Sequence, residues 1–267
     1  MASHLRVPLT RGIAAAAVTL CSLLACPPAR ASLQDEIQVY LDDIDRPGDF
    51  GLELHINTTP SGRSTPDYPG EITPYHGLRV TPEFSWGLSR DWEAGLYLPF
   101  ATDASGHAYA AGAKLRMKWM GLHADGPEGG TFAGANLELS RVQEQFDEGQ
   151  SGAELRLMLG QRGKDWVLAL NPVFEWDFGG PGRSGTPDVS FGLKAGHEVA
   201  RGIMLGAEYY GELGRLNATL PSSQQDHRLF AAVDVDRSKV EFNFAVGYGL
   251  TSAADRWTVK AIVELPL

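Results

Sequence analysis

Three basic side chains alternate with apolar ones in the stretch "AGAKLRMKWMGL", residues 111–122. Lys114, Arg116 and Lys118 occupy every second position, so in an extended strand all three point to one face. Like charges on one face repel unless acids lie opposite them, and we expect Glu93 and Glu138 on adjoining strands to do so. Along the wall of a pore such charges set ion preference. These three residues, the basic row, are the first candidate site.

Charged residues of both signs occupy equivalent polar positions along most of the chain. They could pair across strands and fill an interior, each opposite-charge pair contributing about 0.2–1 kcal/mol, or they could line a selective pore. In a closed barrel the two interpretations are compatible. The candidate lumen-lining residues are Glu53, Arg79, Glu83, Glu93, Lys114, Arg116, Lys118, Glu138, Arg156, Glu175, Asp177, Lys194 and Glu208, and Glu154, Glu241, Lys260 and Glu264 fall in the same phase.

The residues that enzymatic chemistry needs are scattered. Acyl transfer requires a nucleophile beside a base, yet no Gly-x-Ser-x-Gly turn occurs, and the histidines stand singly. His197-Glu198 lacks the second histidine of a zinc helix. The acidic segment 35–49 lacks the spacing of a calcium loop. We therefore expect no catalytic residue, no cofactor and no metal, with a lipase-like activity as a disfavoured alternative.

The first 31 residues have the features of a secretory signal peptide. Arg6 and Arg11 precede an apolar run at 12–26, which is too short to span a bilayer. "ARA" at 29–31 predicts cleavage after Ala31, with lipidation at Cys26 in "LLAC" as a minor alternative. Cleavage would remove three Arg and leave 20 basic and 33 acidic residues, a net charge of −13. Such a charge argues against a nucleic-acid partner.

Alternation with a period of two recurs through the rest of the chain and predicts the strands that must position these residues. Twelve successive segments of strand length behind a signal peptide are typical of an outer-membrane barrel. We predict an all-β fold, a closed antiparallel transmembrane β-barrel of about 12 strands over 50–267, preceded by a solvated periplasmic segment at 32–49. The alternating segments are 50–57, 78–86, 92–98, 111–122, 133–140, 154–159, 168–177, 189–196, 203–210, 229–235, 240–248 and 257–265.

Connection lengths and tryptophan positions test the barrel independently. Connections after even-numbered strands are mostly short and those after odd-numbered strands mostly long, as periplasmic turns and outer loops are. Every tryptophan lies near a strand end in the apolar phase, which predicts an aromatic girdle. The residues of this girdle are Trp86, Trp92, Trp119, Trp166, Trp176 and Trp257.

Several blocks, among them "DEIQVY", "GLELHINTTPSGR", "HGLRVTPEFS" and "TSAADRWTVKAIVE", resemble a family of uncharacterised outer-membrane β-barrel proteins of Gram-negative bacteria. The resemblance covers nearly the whole mature chain and implies the fold and the outer membrane. It loosely implies a grouping with transporters of aromatic-compound degradation pathways, and it names no substrate. The chain departs from most barrel proteins at its end, "ELPL", where an aromatic residue is usual.

We therefore expect an outer-membrane barrel that acts as a passive channel or transporter for a small solute of unknown identity. The alternative is a non-transporting structural or envelope-interaction barrel, closed by salt bridges in its lumen. The expected partners are outer-membrane lipid and lipopolysaccharide, and the barrel-assembly machinery during biogenesis.

Overall fold

The computed structural model describes residues 35–181, 183–237 and 240–266, which form β-strands and connections without a helix. The predicted leader, with Cys26 and Ala31, lies outside these residues, as does Leu267. The strands are β1 (Phe50–Ser61), β2 (Leu78–Gly87), β3 (Trp92–Tyr97), β4 (Phe100–Thr102), β5 (Ala108–Ala110), β6 (Gly112–Leu122), β7 (Gly130–Val142), β8 (Ser151–Arg162), β9 (Trp166–Asp177), β10 (Asp188–Ala200), β11 (Ile203–Arg215), β12 (Ala218–Thr219), β13 (Asp226–Asp236), β14 (Glu241–Gly249) and β15 (Trp257–Pro266).

These strands make one closed antiparallel barrel of 12 wall strands, as predicted. β1 pairs with both β2 and β15, so no edge remains open. β3 and β4 are two parts of one wall strand, since both pair with β2, and β5 and β6 together form the next. β12 pairs only with β11, in a connection beyond the wall. Closure gives the backbone N–H and C=O groups of every wall strand hydrogen-bond partners, which lipid cannot supply.

Strand length and side-chain phase fit a bilayer. The 13 residues of β10 extend about 44 Å at about 3.4 Å per residue. A tilt of about 40° then gives a height of about 34 Å, close to the hydrocarbon thickness of about 30 Å. Leucines in the apolar phase face outward, with Leu115, Leu139 and Leu205 each more than half exposed. No helix among the described residues has the length and apolarity needed to cross a membrane.

The tryptophans lie near the two ends of the barrel. We call the end with the short connections the turn end, and the opposite end the loop end. Trp86 stacks on Phe50 and Trp92 contacts Trp119 at the turn end, whereas Trp257 meets Tyr248 edge-on at the loop end. Trp166 begins β9 at the turn end and Trp176 lies near its loop end. This is the arrangement expected of an interfacial girdle.

The chain preceding β1 differs from the sequence prediction. We expected residues 32–49 to be solvated because five of the residues from 35 to 49 are Asp and one is Glu. The structure instead places residues 35–45, the lumen segment, largely inside the barrel, where Asp35, Ile37, Val39 and Tyr40 are each at most 5% exposed. The expectation is therefore wrong for residues 35–45, because inward-facing bases and apolar side chains of the wall bind them, whereas residues 46–49 are exposed.

Candidate functional site

The lumen segment is held by side chains of the wall, because an extended segment outside the sheet must find other partners for its backbone. Asn171 binds Tyr40 twice: its Oδ1 accepts from the Tyr40 N–H at 2.6 Å and its Nδ2 donates to the Tyr40 carbonyl at 3.0 Å. Lys260 Nζ donates to the Ile37 carbonyl at 2.8 Å, and Asn57 Nδ2 to the Asp35 carbonyl at 3.0 Å. The segment therefore has one fixed register against the wall.

Apolar contacts hold the same segment between these hydrogen bonds. Val39 and Tyr40 belong to a buried cluster with Met120, Phe132 and Met158, whose side chains occupy inward positions of the wall. Ile37 belongs to a second buried cluster, formed with the wall residues Phe230, Ala232 and Ala245. Burying a side chain of this size contributes about 1.5–3 kcal/mol. The inner wall thus has apolar patches that the segment covers.

The basic row is neutralised partly by the wall and partly by the lumen segment. Arg116 Nη2 lies 2.6 Å from carboxylate oxygens of both Glu83 and Glu93. Lys114 Nζ lies 2.8 Å from Asp35 Oδ1, and Lys118 Nζ donates to the backbone carbonyl of Asp43. The like charges are therefore separated by partners, as the sequence argument required.

Of the two acids predicted to pair with the basic row, Glu93 does so and Glu138 does not. Glu93 binds Arg116, whereas Glu138 accepts a hydrogen bond from Asn136 Nδ2 at 3.0 Å. Tyr40 lies among basic side chains of the wall, with Lys118 Nζ 5.4 Å and Arg156 Cζ 4.6 Å from its ring centroid. These distances allow cation–π attraction.

A second charged centre lies across the lumen. Lys260, which is fully buried, has its Nζ 2.6 Å from Glu208 Oε2. Lys194 Nζ approaches the other oxygen of Glu208 at 3.4 Å and Asp234 Oδ2 at 2.9 Å. Buried charges of this kind are tolerated because each has an opposite partner.

Acids are aligned on the inner wall near both ends of the barrel. Glu83, Glu53, Glu264 and Glu241, the turn-end acidic row, lie directly opposite one another on β2, β1, β15 and β14. Within the described part of the chain, no ion pair includes Glu241 or Glu264. All four residues line a cavity of about 550 Å³. This row therefore presents carboxyl groups to the cavity.

A second row, the loop-end acidic row, crosses four neighbouring strands on the other side of the barrel. Its members are Glu138, Glu154, Glu175 and Asp188, again directly opposite one another, and they border a smaller cavity of about 110 Å³. Arg156 Nε lies 2.9 Å from Glu154. No ion pair between described residues includes Glu138 or Glu175.

Connections fold inward and narrow the mouth at the loop end. Arg79 donates to the Thr102 carbonyl at 2.9 Å and lies 5.4 Å from the Phe146 ring, beneath an inward-folded cluster that includes Ile72. In the connection before β2, Arg63 Nη2 lies 2.7 Å from Glu71 Oε1. That carboxylate raises the pKa of the Arg63 guanidinium. The connection is therefore anchored by charge as well as by apolar packing.

All thirteen candidate lumen residues are buried or half-buried in the structure, and they fall into separate groups. Arg116, Glu83 and Glu93 form one cluster, and Lys194 and Glu208 belong to another. Glu175 and Asp177 border the loop-end cavity. The residues that sequence reasoning missed are Ile37, Val39 and Tyr40, although their apolar character within an acidic segment was a signal for burial.

The fold is that of a closed 12-stranded antiparallel β-barrel with a charged, partly filled lumen. Among solved structures, the chain is similar to a COG4313 outer membrane channel from Pseudomonas putida F1, with a TM-score of 0.55 and 13% identity over 87% of this chain and 100% of that one. It is also similar to the NanC porin (TM-score 0.53, 8% identity, 82% and 100% covered) and the KdgM porin (0.52, 8%, 81% and 99%). No family model and no curated protein matches the sequence.

Proposed function

We propose that this protein is a passive outer-membrane channel for small solutes that prefers cations. The barrel closes without an edge and has an outward apolar face, which suits a membrane. The similar solved barrels are channels and porins by name. The periplasmic location of the turn end follows from the usual arrangement of short turns and long outer loops.

The preference for cations rests on the two acidic rows. A cation entering from either end meets aligned carboxylates before it reaches the central bases, and the central bases are already bound to acids. Rings of Asp and Glu favour cations in other pores. The observation that carries the proposal is the turn-end acidic row, where Glu241 and Glu264 face the cavity of about 550 Å³ without a cation partner among the described residues.

The lumen segment sets the width of this path. It contacts the basic row and leaves a cavity that the turn-end acidic row borders and whose lining has more acids than bases. Small ions use this remaining space, and larger solutes need the segment to move. We propose no aromatic-compound substrate, because the lumen-facing groups at the cavity are mainly charged.

The test is the reversal potential of the refolded mature protein in planar bilayers under a tenfold KCl gradient. We expect a potential on the cation-selective side, reduced toward zero in Glu241→Gln/Glu264→Gln. The control is Asp49→Asn/Glu128→Gln, which removes two exposed acids outside the acidic rows and should keep the wild-type potential. Anion selectivity would contradict the cation preference, and a folded barrel without current would favour the structural alternative.

A further inference from the structure

Two carboxylates and one imidazole converge on the inner wall near the turn end. Glu53 on β1 lies directly opposite Glu83 on β2, and His55 is two residues further along β1 on the same face. His55 Nε2 is 3.0 Å from Glu53 Oε1 and 3.1 Å from Glu83 Oε2. The three ligand-type atoms all lie within 4.8 Å of one another. One nitrogen thus faces two carboxylate oxygens at hydrogen-bond distance.

Hydrogen bonding alone does not give every polar atom of this cluster a partner. An imidazole Nε2 carries at most one hydrogen, so it cannot give a linear hydrogen bond to both carboxylates. Glu53 Oε1 is a buried atom without a hydrogen-bond partner. The His55 side chain is fully buried, where polar atoms normally have partners. A group that accepts electron pairs from all three residues would fit this cluster better than one proton.

The spacing suits a small metal ion. First-row divalent ions bind imidazole nitrogen and carboxylate oxygen at about 2.0–2.2 Å, which places tetrahedral ligands roughly 3.3–3.5 Å apart. The observed 3.0 and 3.1 Å need to widen by only a few tenths of an ångström. The hard ions Ca²⁺ and Mg²⁺ suit the cluster less, because they require six or more oxygens or several retained waters.

Groups around the cluster are placed as they are in metal sites. Glu83 presents Oε2 to His55, while its Oε1 lies 2.6 Å from Arg116 Nη2. This second contact fixes the carboxylate, as outer partners of metal ligands do. Arg116 also binds Glu93, so it neutralises the Glu83 carboxylate only in part. Glu53 and Glu83 line the 550 Å³ cavity, from which an ion enters and water completes the coordination.

We propose that Glu53, His55 and Glu83 form a lumen-wall site for one first-row divalent transition-metal ion, such as Zn²⁺. No metal was expected from the sequence, where these three residues form no spaced motif, since Glu83 lies on a different strand from Glu53 and His55. The site goes beyond the proposed channel function and does not depend on it. Binding is measured on protein in detergent micelles without ion flow, so the two proposals fail separately.

The test titrates Co²⁺ and then Zn²⁺ into refolded full-length mature protein that has been freed of metal with a chelator. We expect one equivalent of Co²⁺ with visible absorption bands, displaced by one equivalent of Zn²⁺ in calorimetry. His55→Asn should weaken binding at least 100-fold and Glu83→Gln at least tenfold. The matched control is His123→Asn, which removes a histidine that lies 2.8 Å from a single acid, Asp91, in a connection at the turn end.

Folding of each variant is checked by heat-modified electrophoretic mobility. If His55→Asn does not refold, Glu53→Gln decides the question, since the Glu53 side chain is partly exposed. Wild-type protein that binds no stoichiometric metal overturns the proposal. Folded His55→Asn or Glu53→Gln protein that binds as wild type does, or loss of binding in His123→Asn instead, overturns it equally.

Discussion

Removing two of the acids that pair the lumen segment with the wall should favour release of the segment from the barrel. Asp35 pairs with Lys114 at 2.8 Å, and Asp42 pairs with Arg162 at 2.7 Å. The double variant Asp35→Asn/Asp42→Asn keeps the size of both side chains and removes only their charge. We expect it to favour a state in which the segment lies outside the lumen and the path is wider.

The size of the effect follows from the burial of the two pairs. Asp35 is 2% and Lys114 15% exposed by side chain, so the loss of this charged hydrogen bond costs about 1.5–3 kcal/mol. Arg162 is 32% exposed, so its pair contributes only about 0.2–1 kcal/mol. The sum of about 2–4 kcal/mol shifts the equilibrium about 30- to 700-fold, at 1.4 kcal/mol per factor of ten.

The assay is single-channel recording in planar bilayers, scored as the fraction of time spent at the larger conductance. Asp49→Asn is the matched control, because Asp49 precedes β1 as the lumen segment does but is exposed. Wild type and Asp49→Asn should show rare openings, and the double variant frequent ones. Identical recordings from a folded double variant would refute the idea that these two pairs hold the segment.

Two further predictions concern the stability of the wall itself. Lys260→Met should lower the free energy of unfolding in urea by about 3–5 kcal/mol, since it removes the cation 2.6 Å from buried Glu208 and leaves Lys194, at 3.4 Å, as the nearest charged partner. Adding Glu208→Gln should recover part of the loss, and no recovery would contradict the pairing. Phe230→Ala should cost about 3–5 kcal/mol, because Phe230 is fully buried beside the lumen segment, and proteolysis should then cut that segment faster than in Leu229→Ala, which truncates a lipid-facing neighbour.

The wall could be predicted from the sequence because lipid imposes a simple rule on it. Each wall strand must alternate, and each tryptophan must sit near an interface, so the twelve segments and the phase of Leu115 against Arg116 follow directly. The strand at Phe50 begins where the alternation does. These features are local, and they do not depend on how the strands are staggered.

The lumen could not be predicted in the same way, because its contacts depend on register and on distant parts of the chain. The pair between Asp35 and Lys114 joins residues 79 positions apart. The alignment of Glu83, Glu53, Glu264 and Glu241 depends on the stagger of four strands, which alternation leaves open. The acids of residues 35–49 indicated solvation, whereas burial follows from the bases that meet them.

The most direct test of the account compares the ion conductance of the mature protein with that of a variant lacking residues 32–45. Both proteins are refolded, checked for heat-modified mobility, and recorded in the same bilayers and salt. We expect the mature protein to conduct cations in preference to anions. The deletion should increase the unitary conductance several-fold and weaken the cation preference, because it frees Lys114 and Arg162 of their acid partners. Two folded barrels with no current, or with equal conductance, would contradict a channel narrowed by its own N-terminal segment.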